Sequence, residues 1–173
     1  MNLDNMIFII GFMGVGKSTI GKQLALQMNV NFVDVDKEIE LSEETSIAEI
    51  FNERGEEYFR EIESRIIRRL QPNSIIACGG GLPCYNDNIK YINDKGVSIY
   101  LYADECNILK RIKKNIANRP LINDIKKKDL KSYVKSKVRE RSDIYNKANF
   151  TINTNNKSET EILTQIHSLL NSI

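Results

Sequence analysis

Short runs of apolar, often β-branched residues alternate along the chain with longer stretches whose apolar positions recur every three or four residues. The short runs are MIFII (6–10), NFVDV (31–35), SIIAC (74–78), VSIYLY (97–102) and NFTIN (149–153), each with the length and composition of a strand. Helical patterns lie between them near 17–28, 46–71, 104–115 and 129–146, with a last one near 158–171. Ser46 and Glu49 have capping-box spacing ahead of Ile47, Ile50 and Phe51, and Gly55 is placed to break that helix from the next. Strands alternating with helices predict an α/β domain, a mostly parallel sheet covered on both faces. No repeat, low-complexity tract or linker divides the 173 residues, so a single domain over 1–173 is expected.

The stretch NFVDVD (31–36) raises a question of charge. Side chains two apart on a strand point the same way, so Asp34 and Asp36 would stand side by side at its mouth. Like charges at that distance are costly unless something nearby requires them. Charge is also uneven along the chain. Residues 36–65 hold eleven acids against four bases, whereas 107–141 hold thirteen bases against three acids. Most of these residues read as solvated helical faces, but a basic segment in a chain of net charge +2 suits cover over a polyanion such as ATP.

That small net charge gives no sign of a nucleic-acid partner. Cys78, Cys84 and Cys106 are an odd number without metal-ligand spacing, which argues for a reducing compartment. The apolar run Met6–Ile10 is too short to cross a bilayer or serve as a signal peptide, so a cytoplasmic chain with no membrane partner is expected. His167 is the only histidine and lies on the last helical pattern, which removes Ser-His-Asp chemistry and His-ligated metals. Any proton acceptor must therefore be a carboxylate or a lysine.

The stretch GFMGVGKST (11–19) matches G-x-x-x-x-G-K-[ST], follows the strand MIFII and opens an amphipathic helix. Its glycines let backbone N–H groups converge on an anion, and the helix N-terminus adds partial positive charge. Gly11, Gly14, Val15, Gly16, Lys17, Ser18 and Thr19 are thus candidates for ATP phosphates, with Lys17 reaching the β/γ positions and Ser18 ligating Mg²⁺. Strand ends with phosphate-facing loops share one edge of such a sheet. Asp34 would then stand near Mg²⁺ and the γ-phosphate, and Asp36 would face the phosphoryl acceptor.

A second glycine cluster, CGGGLP (78–83), follows another apolar strand. Three glycines in a row cost chain entropy and pack nothing, so Gly79, Gly80 and Gly81 suggest backbone close to a ligand. Arg60, Arg119, Arg139 and Arg141 are candidate carboxylate or phosphate forks. Arg119 stands before Pro120 in a polar stretch, 115–128, with the character of a mobile lid; lids exclude water from phosphoryl transfer.

Together these residues resemble the shikimate kinase family. GFMGVGKSTIG (11–21), FVDVDKEIE (32–40), GEEYFREIE (55–63), the glycines 79–81, NRPL (118–121) and RSDIY (141–145) follow the family's order over nearly the whole chain. The resemblance implies ATP-dependent phosphorylation of the 3-hydroxyl of shikimate, in the route to chorismate and the aromatic amino acids. It implies the three-layer P-loop fold of the nucleoside-monophosphate kinases, a five-stranded parallel sheet of order 2-3-1-4-5, and a segment near 36–65 that binds the acceptor. By the same resemblance, Asp34 lies near the reacting hydroxyl and the Mg²⁺ shell, and Asp36 hydrogen-bonds substrate hydroxyls. Arg60 and Arg141 grip the substrate carboxylate, Gly79 to Gly81 hold it through N–H groups, Arg119 reaches ATP phosphates and Arg111 stacks on adenine. RSDIY carries Asp143 and Ile144 where the family often has proline and leucine, and Arg139 is the alternative to Arg141. TNNKSE (154–159) lacks a proline often found there. A monomer is expected. The competing readings are a P-loop kinase for gluconate or a nucleotide, and a nucleotide-binding switch without catalysis.

Overall fold

The computed structural model describes residues 5–114 and 128–172. Strands β1 (Met6–Ile10), β2 (Asn31–Asp34), β3 (Ser74–Ala77), β4 (Gly96–Tyr102) and β5 (Phe150–Asn153) form one parallel sheet in the order β2-β3-β1-β4-β5. This is the P-loop sheet order implied above. Every residue of β1 and of β3 is buried. Successive strand side chains point to opposite faces, so both faces of the sheet are covered.

The covering helices are α1 (Lys17–Met28), α2 (Val35–Glu43), α3 (Ile47–Ile67), α4 (Asn88–Lys95), α5 (Glu105–Lys114), α6 (Leu130–Tyr145) and α7 (Glu159–Leu170). Helix α1 lies against β3 and α7, α2 against α3, and α5 against α6. Helices α3 and α7 open with reciprocal capping boxes, Ser46 with Glu49 and Ser158 with Glu161.

The main differences from the sequence expectation lie in the end of β2, the end of α3 and two additional helices. Strand β2 ends at Asp34 and Val35 already belongs to α2, so the acidic pair does not share one strand face. VDKEIELSE buries Val35 and Ile39 one turn apart and sets Asp36 and Glu38 in the first turn, where the helix dipole favours negative charge. The strand-to-helix turn, not a pleat, brings the two acids together. Neither α2 nor α4 lies on an expected helical pattern; the eight residues of α4 bury Asn88, Ile89 and Ile92, too short an apolar pattern to stand out after a glycine-rich loop. Helix α3 ends at Ile67 rather than near residue 71.

Register sets the functional edge. Ile9 and Asp34 both pair level with Ala77, and the Cys78 N–H donates to the Ile9 carbonyl at 3.0 Å. The chain therefore leaves β1, β2 and β3 at the same edge, where ligands collect in open α/β sheets.

Helix α3 is interrupted at Gly55, whose φ of 81° and ψ of 174° are accessible almost only to glycine. A Cβ there would meet nothing within 4 Å, so substitution strains the backbone alone. Gly55→Ala is expected to lower the unfolding free energy by about 1–3 kcal/mol in urea titrations. Unchanged stability would mean that the kink is not required.

Candidate active site

One cavity of about 710 Å³ opens at this edge and touches residues from the phosphate loop, α2, α3, the triple glycine and α6. At one end, Gly11, Gly14 and Gly16 take positive φ values of 141°, 82° and 100°, and α1 starts directly after them. Unlike α3 and α7, α1 has no side-chain cap and no acid in its first turn, which leaves its N-terminal N–H groups and positive dipole end for an anion. Lys17 Nζ donates to the Gly11 carbonyl at 3.0 Å and the Phe12 carbonyl at 3.1 Å, folding the ammonium over the loop. Val15 is buried in the loop, and Ser18 and Thr19 are exposed at the helix start.

The Ser18 hydroxyl donates to Asp34 Oδ2 at 2.6 Å, joining the start of α1 to the end of β2. Among the described residues no cluster of three or more His, Cys, Asp or Glu could enclose a metal. One hydroxyl and one carboxylate side by side fit a Mg²⁺ ion that arrives with nucleotide and keeps phosphate and water ligands.

At the other end, four charged side chains crowd the triple glycine. Arg60 is buried in α3; its Nη1 bonds Glu63 Oε2 at 2.6 Å, and its Nη2 and Nε bond Glu56 Oε1 at 2.8 and 3.1 Å. The Arg60 guanidinium lies 4.4 Å from the centre of the Tyr85 ring. A Cβ on Gly79 would fall 2.6 Å from Glu63 Oε1 and 2.8 Å from Asp36 Oδ1. On Gly81 it would fall 2.5 Å from Arg60 Nη1. Arg141 is buried on α6 with its guanidinium 5.8 Å from the centre of the Phe12 ring, whereas Arg139 is exposed. Arg60 thus occupies the space that a side chain at position 81 would need.

Burial raises the pKa of Asp36, and Asp34 and Glu40 push the same way against Lys17 and Arg60. Burial likewise pushes Glu63 up to about 7, with the Arg60 guanidinium opposing it. Glu63 Oε1 is buried without a hydrogen-bond partner among the described residues. Glu63 was not singled out from the sequence as a site residue, although it closes the F-R-x-x-E block (59–63). Its i, i+3 spacing from Arg60 on a helix was the available signal.

On the nucleotide side, Arg111 donates from Nη1 to the Val15 carbonyl at 3.1 Å and from Nη2 to the Thr154 carbonyl at 3.1 Å. This ties α5 to the phosphate loop and to the end of β5. Arg119 and the predicted lid up to residue 127 lie outside the described residues. His167 is remote from the cavity and bonds Gln27 Oε1 at 2.7 Å. No helix among the described residues is long and apolar enough to cross a membrane.

A phosphate loop facing acids and arginines across one cavity defines a P-loop kinase that acts on a small anionic acceptor. The shikimate kinase family profile matches residues 13–171, and the chain belongs to that family. It is 38% identical over 166 residues to the shikimate kinase of Bacillus mycoides, covering 95% of this chain and 98% of that protein. It is 32% identical over 169 residues to that of Parabacteroides distasonis, covering 96% of each. The structure of Acinetobacter baumannii shikimate kinase in complex with shikimate superposes with a TM-score of 0.91 at 29% identity, covering 99% of this chain and 95% of that one. A gluconokinase from Sinorhizobium meliloti reaches a TM-score of 0.54 at 13% identity and shares the fold alone.

The state of Glu63 has a measurable consequence. A carboxyl held above its unfolded value stabilises the fold below about 4.5 and loses that contribution as pH rises through about 7. Relative to Glu63→Gln, wild-type stability to urea should therefore fall as pH rises across that window. A difference that is flat or grows with pH would contradict the assignment.

Proposed function

We propose that this chain transfers the γ-phosphoryl group of ATP to the 3-hydroxyl of shikimate, giving shikimate 3-phosphate and ADP. The observation that carries the reading is the single cavity that joins Lys17, Ser18 and Asp34 to Asp36, Arg60, Arg141 and the glycines 79–81. One end has the groups a nucleotide phosphate needs. The other has cations for a carboxylate, an acid for hydroxyls and backbone exposed by the lack of side chains.

In this reading Arg60 and Arg141 bind the acceptor carboxylate. Arg60 has one partner it gives up readily and one it does not: the Glu56 side chain is 53% exposed, the Glu63 side chain 1%. The substrate carboxylate replaces Glu56, while Glu63 keeps the guanidinium in place. Asp36 accepts hydrogen bonds from substrate hydroxyls, its negative charge supported by Lys17 and Arg60. Gly79, Gly80 and Gly81 supply backbone N–H donors beside it.

Asp34 orients the 3-hydroxyl and receives its proton late. Ser18 and Asp34 would hold a Mg²⁺ ion arriving with the nucleotide, and the ion would supply positive charge against the phosphate oxygens. Lys17 swings from the Gly11 and Phe12 carbonyls to the transferring phosphoryl, and Arg119 reaches the same phosphates from the lid at 115–128. The transition state is loose, so positioning and electrostatics dominate and no strong base is required. Arg111 borders the adenine side. The reading includes a single kinase domain over 1–173, with residues near 36–65 serving the acceptor, acting as a monomer in the cytoplasm.

Two substitutions separate the two ends of the cavity. Lys17→Met should lower turnover at least about 10²-fold while the chain stays folded, as expected for loss of one preorganised charge contact. Near-normal turnover would remove its role. Asp36→Ala should raise the KM for shikimate far more than that for ATP in steady-state kinetics. Equal shifts in the two constants would refute its placement on the acceptor side.

A further inference from the structure

Each carbonyl of the triple glycine is engaged. The Gly79 carbonyl accepts from the Leu82 N–H at 3.1 Å and the Gly81 carbonyl from the Cys84 N–H at 2.9 Å, both bonds local to the turn that follows. The Gly80 carbonyl is different: it accepts from the hydroxyl of Tyr145, 65 residues away at the end of α6. Tyr145 is fully buried, and its ring lies 5.0 Å from the Tyr100 ring at 35°. Burial pushes its phenol well above the usual range, against the pull of Arg141, so it stays protonated and remains a donor. Arg141 stands four residues earlier, one turn back on the same face of the helix.

The peptide between Gly80 and Gly81 is planar and trans, so its carbonyl and its N–H point in opposite directions. Fixing the Gly80 carbonyl therefore aims the Gly81 N–H, beside Arg60. Gly80 is also the point where the loop meets the nucleotide side. A Cβ on it would lie 3.4 Å from Met13 N, 3.5 Å from Arg141 Nη1 and 3.6 Å from the Gly11 carbonyl oxygen.

We propose that the Tyr145 hydroxyl is a positioning group for the phosphoryl acceptor: it fixes the Gly80–Gly81 peptide against Arg141 and the phosphate loop, so that the Gly81 N–H is preset as a donor. The proposal rests on reading residues 79–81 as part of the acceptor site. Ordering the donor before binding reduces what the acceptor must organise itself, and the effect falls on acceptor affinity rather than on nucleotide affinity.

Tyr145→Phe tests this because it keeps the ring and its packing on Tyr100 and removes only the hydroxyl. In the chain without ligands, backbone hydrogen exchange over 79–82 should speed up about tenfold or more. In kinetics, the KM for shikimate should rise about tenfold, the size expected for one buried hydrogen bond, with the KM for ATP within about twofold. Unchanged exchange at 79–82 overturns the proposal whatever the acceptor is. Faster exchange with no change in either constant, or with equal changes in both, reduces Tyr145 to a structural tie and also overturns it. If the wild-type chain does not phosphorylate shikimate, the acceptor reading fails on its own, and the exchange result still decides whether Tyr145 holds the loop.

Discussion

The crowding around Gly79 constrains the rest of the site. Carboxylate oxygens of Asp36 and Glu63 come so close to this one backbone position that a side chain there would have to displace them. Burial makes both acids resist ionisation and raises both pKa values, with Asp34 and Glu40 adding to the effect on Asp36 and Asp36 adding to that on Glu63. They are held together because cations surround them. Arg60 bonds Glu63, and Lys17 and Arg60 both act on Asp36. The same arrangement stores an excess of hydrogen-bonding capacity, visible in the unpartnered Glu63 Oε1 and Arg141 Nε among the described residues. A small acceptor with one carboxylate and several hydroxyls is the complement of that excess.

The sheet makes the crowding possible. With β1 central and β3 beside it, and Ile9 and Asp34 both in register with Ala77, three loops of different origin leave one edge at the same height. The first bends over itself to bind phosphate. The second turns at once into α2, so that Asp34 bonds Ser18 while Asp36 next to it faces Gly79. The third contributes backbone only. Because α3 is kinked at Gly55, its second half presents both Arg60 and Glu63 to that backbone. Donor and acceptor are thereby held in one cavity by a rigid parallel sheet, as a reaction governed by positioning requires.

Much of this was legible in the sequence because it rests on local rules. A glycine-rich stretch between an apolar strand and an amphipathic helix has few readings, and three consecutive glycines are hard to explain by packing. The sheet order came from resemblance, since periodicity alone does not order strands. What stayed hidden depended on tertiary context. NFVDV alternates like a strand, yet burial of Val35 with Ile39 made its last residue helical. The role of Glu63 needed its depth, and that of Tyr145 needed a contact 65 residues away. Spacing did not choose between Arg139 and Arg141, but burial separates them, because the helix turns one to solvent and the other inward.

The most direct measurement is ADP release from Mg²⁺·ATP with shikimate, gluconate and AMP offered separately as acceptors. The account predicts strong stimulation by shikimate and little by the other two, since only an acceptor with a carboxylate and a compact set of ring hydroxyls uses both arginines, Asp36 and the glycine backbone together. Equal or greater stimulation by gluconate or AMP, or none by any of the three, would contradict it.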